Sequence, residues 1–239
     1  MIKSFSSSPP EKIPDFDVSE KSLREIASFV HTHYRSNIPP KRAFLDASID
    51  RISKFNEVRA VTDLLKLYKR NGQDATSSQI HNFVEKCIEV KAEDLAAKLV
   101  AMKRHSPVRK NISDETLTLL TKTLNENDKL STSLNLVAIA FRLNLPHENA
   151  REEVFDAAVQ NSNEEGVTRI LNWNKYSSRN ESKILQILDA TWDNDQKERL
   201  LPLIEASGVS SDSITERLSN WIETEEEEGV TGEEEEEES

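Results

Sequence analysis

Apolar residues recur along this chain in four registers that repeat about every 35 residues. Ala60, Leu95, Leu130 and Gly166 form one register, Leu64, Leu99, Leu134 and Ile170 a second, and Leu67, Met102, Val137 and Trp173 a third. The fourth, Ile49, Val84, Leu120 and Phe155, runs ahead of the others at a nearly constant offset. Around these positions apolar side chains step by three and four, the spacing of one face of an α-helix. The pattern predicts pairs of antiparallel helices, with the fourth register on the first helix of each pair and the other three on the second. One such hairpin cannot bury its apolar face alone and must stack on its neighbours. The expected fold is therefore all-α, a right-handed α-solenoid of helical hairpins.

The elements follow in order. Residues 1–18, with Pro9, Pro10 and Pro14 against helix formation, read as a flexible arm. Leu23, Ile26, Ala27, Val30 and Tyr34 predict a capping helix that starts near Ser19 and ends before Pro39 and Pro40. Four hairpin units follow between about Pro40 and Tyr176. Asn71-Gly72 stops the first, Ser77 or Ser78 caps the second, and Ser113 opens the third with Asp114 and Glu115 in its first turn. After Tyr176 the period slips into a degraded fifth unit, and a last helix from about Ser211 to Ile222 is expected to close the repeat domain, 19–222. Residues 223–239 read as a disordered acidic tail.

Charge changes the picture once it is divided. The chain carries a net charge of −12, and Glu223, Glu225 to Glu228 and Glu233 to Glu238 supply eleven negative charges without a basic neighbour, leaving the remainder at −1. That near-neutral body is compatible with an anionic partner. Its clearest cationic cluster is Lys98, Lys103, Arg104, His105, Arg109 and Lys110, at the end of one helix and the loop beyond, with Lys66, Lys69 and Arg70 at the equivalent end one unit earlier. Stacked, the two clusters form a basic edge suited to RNA phosphates, although basic side chains at a helix C-terminus also complement its dipole. The candidate RNA-backbone contacts are Lys66, Lys69, Arg70, Lys98, Lys103, Arg104, Arg109 and Lys110.

Other chemistry is not indicated. No phosphate-cradling glycine loop, zinc spacing or nucleophile elbow occurs, and His31 and His33 point to different faces of their helix. Cys87 lies in an apolar helical pattern and reads as a core thiol in a reducing compartment. Trp173, Trp192 and Trp221 occupy apolar helical positions and read as core. The expectation is a protein without catalytic residues, metal, cofactor or small-molecule substrate. No apolar run is long enough to span a membrane.

Two stretches, Ser-Gln-Ile-His-Asn-Phe-Val-Glu-Lys-Cys-Ile from Ser78 and Glu-Asp-Leu-Ala-Ala-Lys-Leu-Val-Ala-Met-Lys from Glu93, combine with the period to resemble the pentatricopeptide-repeat family over residues 40–176. The resemblance implies partners that are the proteins and RNA of a mitochondrial ribonucleoprotein, with the small subunit of the mitochondrial ribosome first, and a place in the mitochondrial matrix. In RNA-reading members a polar residue early in each first helix faces a base. The matching positions are near Asp46, His81, Thr116 and Glu152, which do not form the usual Asn/Thr/Ser series. The resemblance thus implies packing and backbone contact in place of a base-by-base code. The alternative is a cytoplasmic tetratricopeptide-like adaptor that holds a peptide or partner helix.

Overall fold

The computed structural model describes residues 13–34, 40–102, 106–173, 180–209 and 211–230, with backbone alone at 180 and 222–230. Among the described residues the chain forms twelve α-helices and one 3-10 turn and no strand. Contacts divide it into two compact units, residues 1–116 and 117–239.

The first unit contains α1 (Leu23–His33), α2 (Arg42–Asp50), α3 (Phe55–Arg70), α4 (Ser77–Glu89), α5 (Glu93–Ala101), the 3-10 turn Arg109–Asn111 and the first turn of α6 (Asp114–Glu126). Helix α1 packs on α2 and α3, α2 on α3 and α4, α4 on α5, and α5 on the 3-10 turn. Helix α1 starts at Leu23, four residues after the expected start, because Ser22 and Glu25 form a capping box. Helix α4 is capped by Thr76, one residue before the Ser77-Ser78 pair, because only Thr76 has a glutamine three positions on, Gln79, to complete the box. Residues 16–18, expected to be a flexible arm, are held. Phe16 stacks on Phe29 with ring centroids 4.0 Å apart, and Arg51 donates to the Val18 and Ser19 carbonyls. An aromatic ring gains too much by burial to stay in water beside Phe29 and Phe44.

The second unit contains the rest of α6, then α7 (Leu130–Arg142), α8 (Glu148–Gln160), α9 (Glu164–Trp173), α10 (Asn180–Leu188), α11 (Asn194–Ala206) and α12 (Asp212–Val230). Here α7 packs on α8 and α8 on α9, while α9 packs on α11 and α10 on α12. Helix α12 continues past Ile222, where sequence pattern ended it, to Val230. Glutamate is a good helix former, and like-charge repulsion at helical spacing costs only a few tenths of a kcal/mol per pair, about 0.2–0.5. The rest of the expected tail, 231–239, lies outside the described residues.

Two of the four apolar registers are buried throughout: Leu64, Leu99, Leu134 and Ile170, and Ile49, Val84, Leu120 and Phe155. The other two sit at the rim of the core, apart from Val137 and Gly166, which are fully covered. Gly166 has no room for a methyl group, since an added Cβ would stand 3.0 Å from the Ala158 Cβ and 3.2 Å from Leu134. The turns share one closure. After α4, α6, α7 and α8 a left-handed residue, Lys91, Asp128, Asn144 or Ser162, ends the helix, as Gly72 does after α3. The amide of the following residue then returns to a helix carbonyl, as in Ala92 to Cys87 at 2.7 Å, Lys129 to Leu124 at 2.8 Å and Asn163 to Ala158 at 2.8 Å.

Trp192 and Trp221 are buried as expected. Trp173 differs. It is half-buried and stacks at 5.8 Å on Phe141, itself 38% exposed, because both stand at helix ends where the core gives way to solvent.

Candidate nucleic-acid interface

The cationic side chains singled out from sequence all belong to the first unit. That unit holds twenty Lys and Arg against sixteen Asp and Glu, a net +4, whereas the second holds eleven against twenty-seven, a net −16. The overall acidity of the chain thus conceals a basic half.

Within the first unit the eight candidates do not act alike. Lys69, in the last turn of α3, and Lys110, in the 3-10 turn, converge on Asp74 in the intervening loop. Lys110 Nζ donates to Asp74 Oδ2 at 2.8 Å, and Lys69 donates to the other carboxylate oxygen. The two ammonium groups, that of Lys110 foremost, hold the Asp74 carboxyl below the usual carboxylate range. Asp74 is 21% exposed while Lys110 is 69% exposed, so the anion sits beneath its partner and the cation faces outward. Half the positive charge of this corner is therefore internally compensated.

Arg109 serves the backbone. Its guanidinium donates to the Met102 carbonyl at 2.8 Å, and its amide donates to Ser106 Oγ at 3.1 Å, while the buried Ser106 hydroxyl donates to the Leu99 carbonyl at 2.7 Å. Together they satisfy carbonyls left open where α5 ends. Arg70 is exposed at the end of α3. Lys103 and Arg104 lie outside the described residues, as does His105.

Lys66 and Lys98 stand elsewhere. They line a groove of about 320 Å³ between α3 and α5, and Lys66 pairs with Asp63 at 3.0 Å. Sequence inspection passed over the groove's third cation, Arg59. Its signal was available, because Arg59 precedes Lys66 by two helical turns and so shares its face.

The four positions that resemblance assigned to base contact are tied to neighbouring first helices. Gln79 donates to Asp46 at 2.6 Å, and His81 Nδ1 meets the buried Thr116 hydroxyl at 3.1 Å. In the second unit Glu152 accepts from Arg151 at 3.3 Å and from Lys183, whose buried ammonium also lies 4.2 Å from the centre of the Phe155 ring. Side chains so engaged are not free to read bases.

Cys87 is fully buried, and burial, with the charge of Glu93 second, pushes its thiol up to about 12. It stays protonated at neutral pH and fits the core role expected of it. Among the described residues no group of three or more His, Cys, Asp or Glu side chains could hold a metal ion, and no helix is long and apolar enough to cross a membrane. No protein-family model matches the chain, and no curated protein is detectably similar to it.

Proposed function

We propose that this chain is a non-catalytic scaffold that docks into a mitochondrial ribonucleoprotein, foremost the mitochondrial ribosome, with the basic face of its first unit against RNA backbone. The observation that carries the reading is the +4 balance of that unit, with exposed Arg70 at the end of α3 and exposed Lys110 in the 3-10 turn. The solenoid reading is supported by helices that pack on the next and the next but one, as stacked hairpins do. It is supported again by bonds between positions about one period apart, among them His81 to Thr116 over 35 residues, Lys110 to Asp74 over 36 and Arg199 to Glu164 over 35.

Backbone contact is favoured over base reading because Asp46, His81, Thr116 and Glu152 are already engaged. Affinity from phosphate contact arises by counterion release and is steeply salt-dependent. The test is anisotropy of a labelled uridine oligonucleotide with the full chain, before and after charge reversal at Lys103, Arg104 and Lys110, with Arg109 left in place because it closes the end of α5. The reading expects binding that weakens on reversal and with salt; binding unchanged by reversal rejects it. A second reading, a protein-binding adaptor, is favoured by one observation, the apolar floor of the α3/α5 groove.

A further inference from the structure

The groove between α3 and α5 combines two kinds of lining. Leu95, Leu99 and Met102, from α5 and its C-terminal end, form the floor, and Arg59, Lys66 and Lys98 stand around it with Thr62 and one acid, Asp63, so that three cations face one anion. Arg59 and Lys98 are exposed, and among the described residues neither meets an anion, whereas Lys66 meets Asp63. Arg59 and Lys66 lie on one wall about 10 Å apart along α3, two turns at 1.5 Å per residue, and Lys98 faces them from α5.

The floor decides between two anionic occupants. A phosphodiester backbone would use the cations but gains nothing from leucine and methionine. An amphipathic helix with an apolar stripe and acidic flanks uses both, the stripe against the floor and the carboxylates against the rim. The chain's own glutamate-rich end does not qualify: between Glu223 and Ser239 the one apolar side chain is Val230. It matches the rim and leaves the floor empty. We infer that the α3/α5 groove is a docking site for an acidic amphipathic helix of a partner protein, anchored by apolar side chains on Leu95 and Met102 and oriented by Arg59, Lys66 and Lys98. The inference deepens the adaptor reading and does not depend on RNA contact by the edge at Lys69 and Lys110.

The probe is a fluorescein-labelled helical peptide of about 15 residues, long enough to hold helix when bound, with leucine at every third and fourth position and glutamate on both sides of that stripe. A control peptide replaces the leucines by serine, and a labelled uridine oligonucleotide gives the nucleic-acid comparison. Anisotropy with the full chain is read for wild type and for Arg59→Glu/Lys98→Glu, both exposed positions, with circular dichroism to verify the helices. The leucine peptide should bind saturably, the serine peptide at least about tenfold more weakly, and the double reversal should weaken the leucine peptide by about tenfold, since exposed ion pairs are each modest. Equal binding of the two peptides, or binding indifferent to the reversal, overturns the inference. Tighter binding of the oligonucleotide that is lost on the same reversal also overturns it and assigns the groove to RNA. Failure of the oligonucleotide to bind at all leaves the peptide result standing and rejects the RNA reading alone.

Discussion

Replacing Asp74 by Asn should strengthen RNA binding even though it removes a well-formed contact. Asp74 lies between Lys69 and Lys110 and accepts from both. The amide keeps the shape and loses the charge, so two ammonium groups are released towards solvent while the first unit goes from +4 to +5. Exposed ion pairs contribute about 0.2–1 kcal/mol each. With Lys110 69% exposed, the loss of stability should be about 1 kcal/mol for the two pairs together, well short of unfolding. For single strands each new phosphate contact steepens the salt dependence by about 0.7, so two steepen it by about 1.4, and raising salt from about 50 to 200 mM should cost the variant roughly sevenfold more affinity than wild type. The assay is anisotropy of a labelled uridine oligonucleotide across that salt range, with urea denaturation alongside. Parallel salt dependences for a folded variant would refute the reasoning, because they mean that Lys69 and Lys110 do not reach phosphate.

Gly166→Ala should destabilise the chain by about 1–2 kcal/mol in urea despite a helix-propensity gain of about 1 kcal/mol, because the Ala158 Cβ at 3.0 Å cannot move without its helix. Glu152→Gln should cost about 2–3 kcal/mol by leaving Lys183 buried without its carboxylate, while Glu152→Gln with Lys183→Met should recover most of that loss; a double loss equal to the sum of the two single losses would show that the pair is not coupled. Pro202→Ala should stabilise by about 1–3 kcal/mol in thermal melts, since Pro202 interrupts the interior of α11 from an exposed position. Burial raises the Glu152 carboxyl, but the hydrogen bond and charge of Lys183, with Arg151, outweigh it and leave the group depressed. Asp74 is depressed too. A depressed folded carboxyl contributes stability above its unfolded pKa and loses it as pH falls through the folded value. Urea midpoints should therefore fall as pH drops through and below the usual carboxylate range, and the fall should be shallower in Asp74→Asn.

The helices were legible because their apolar positions recur at helical spacing: Leu64, Leu99, Leu134 and Ile170 are each buried where the 35-residue period places them. Turn closures were legible at Asn71-Gly72 but not at Lys91 or Ser162, where a non-glycine residue takes the left-handed conformation under the pull of the helix closure. The Thr76 cap was obscured by two serines after it, and the choice rested on Gln79 three residues on. At the basic edge, composition revealed the cations and not their partners. Asp74 is five residues from Lys69 but 36 from Lys110, and becomes a neighbour of Lys110 only through stacking. Arg109 read as a free cation because nothing in a linear sequence shows which guanidinium will turn back to a carbonyl.

Sedimentation of the tagged protein from a lysate of its own cells, with and without ribonuclease, decides whether it belongs to a ribonucleoprotein. A docked scaffold travels with an RNA-containing particle in the mitochondrial fraction and moves to light fractions after ribonuclease. Migration as a free protein, or with a particle that contains no RNA, would contradict docking.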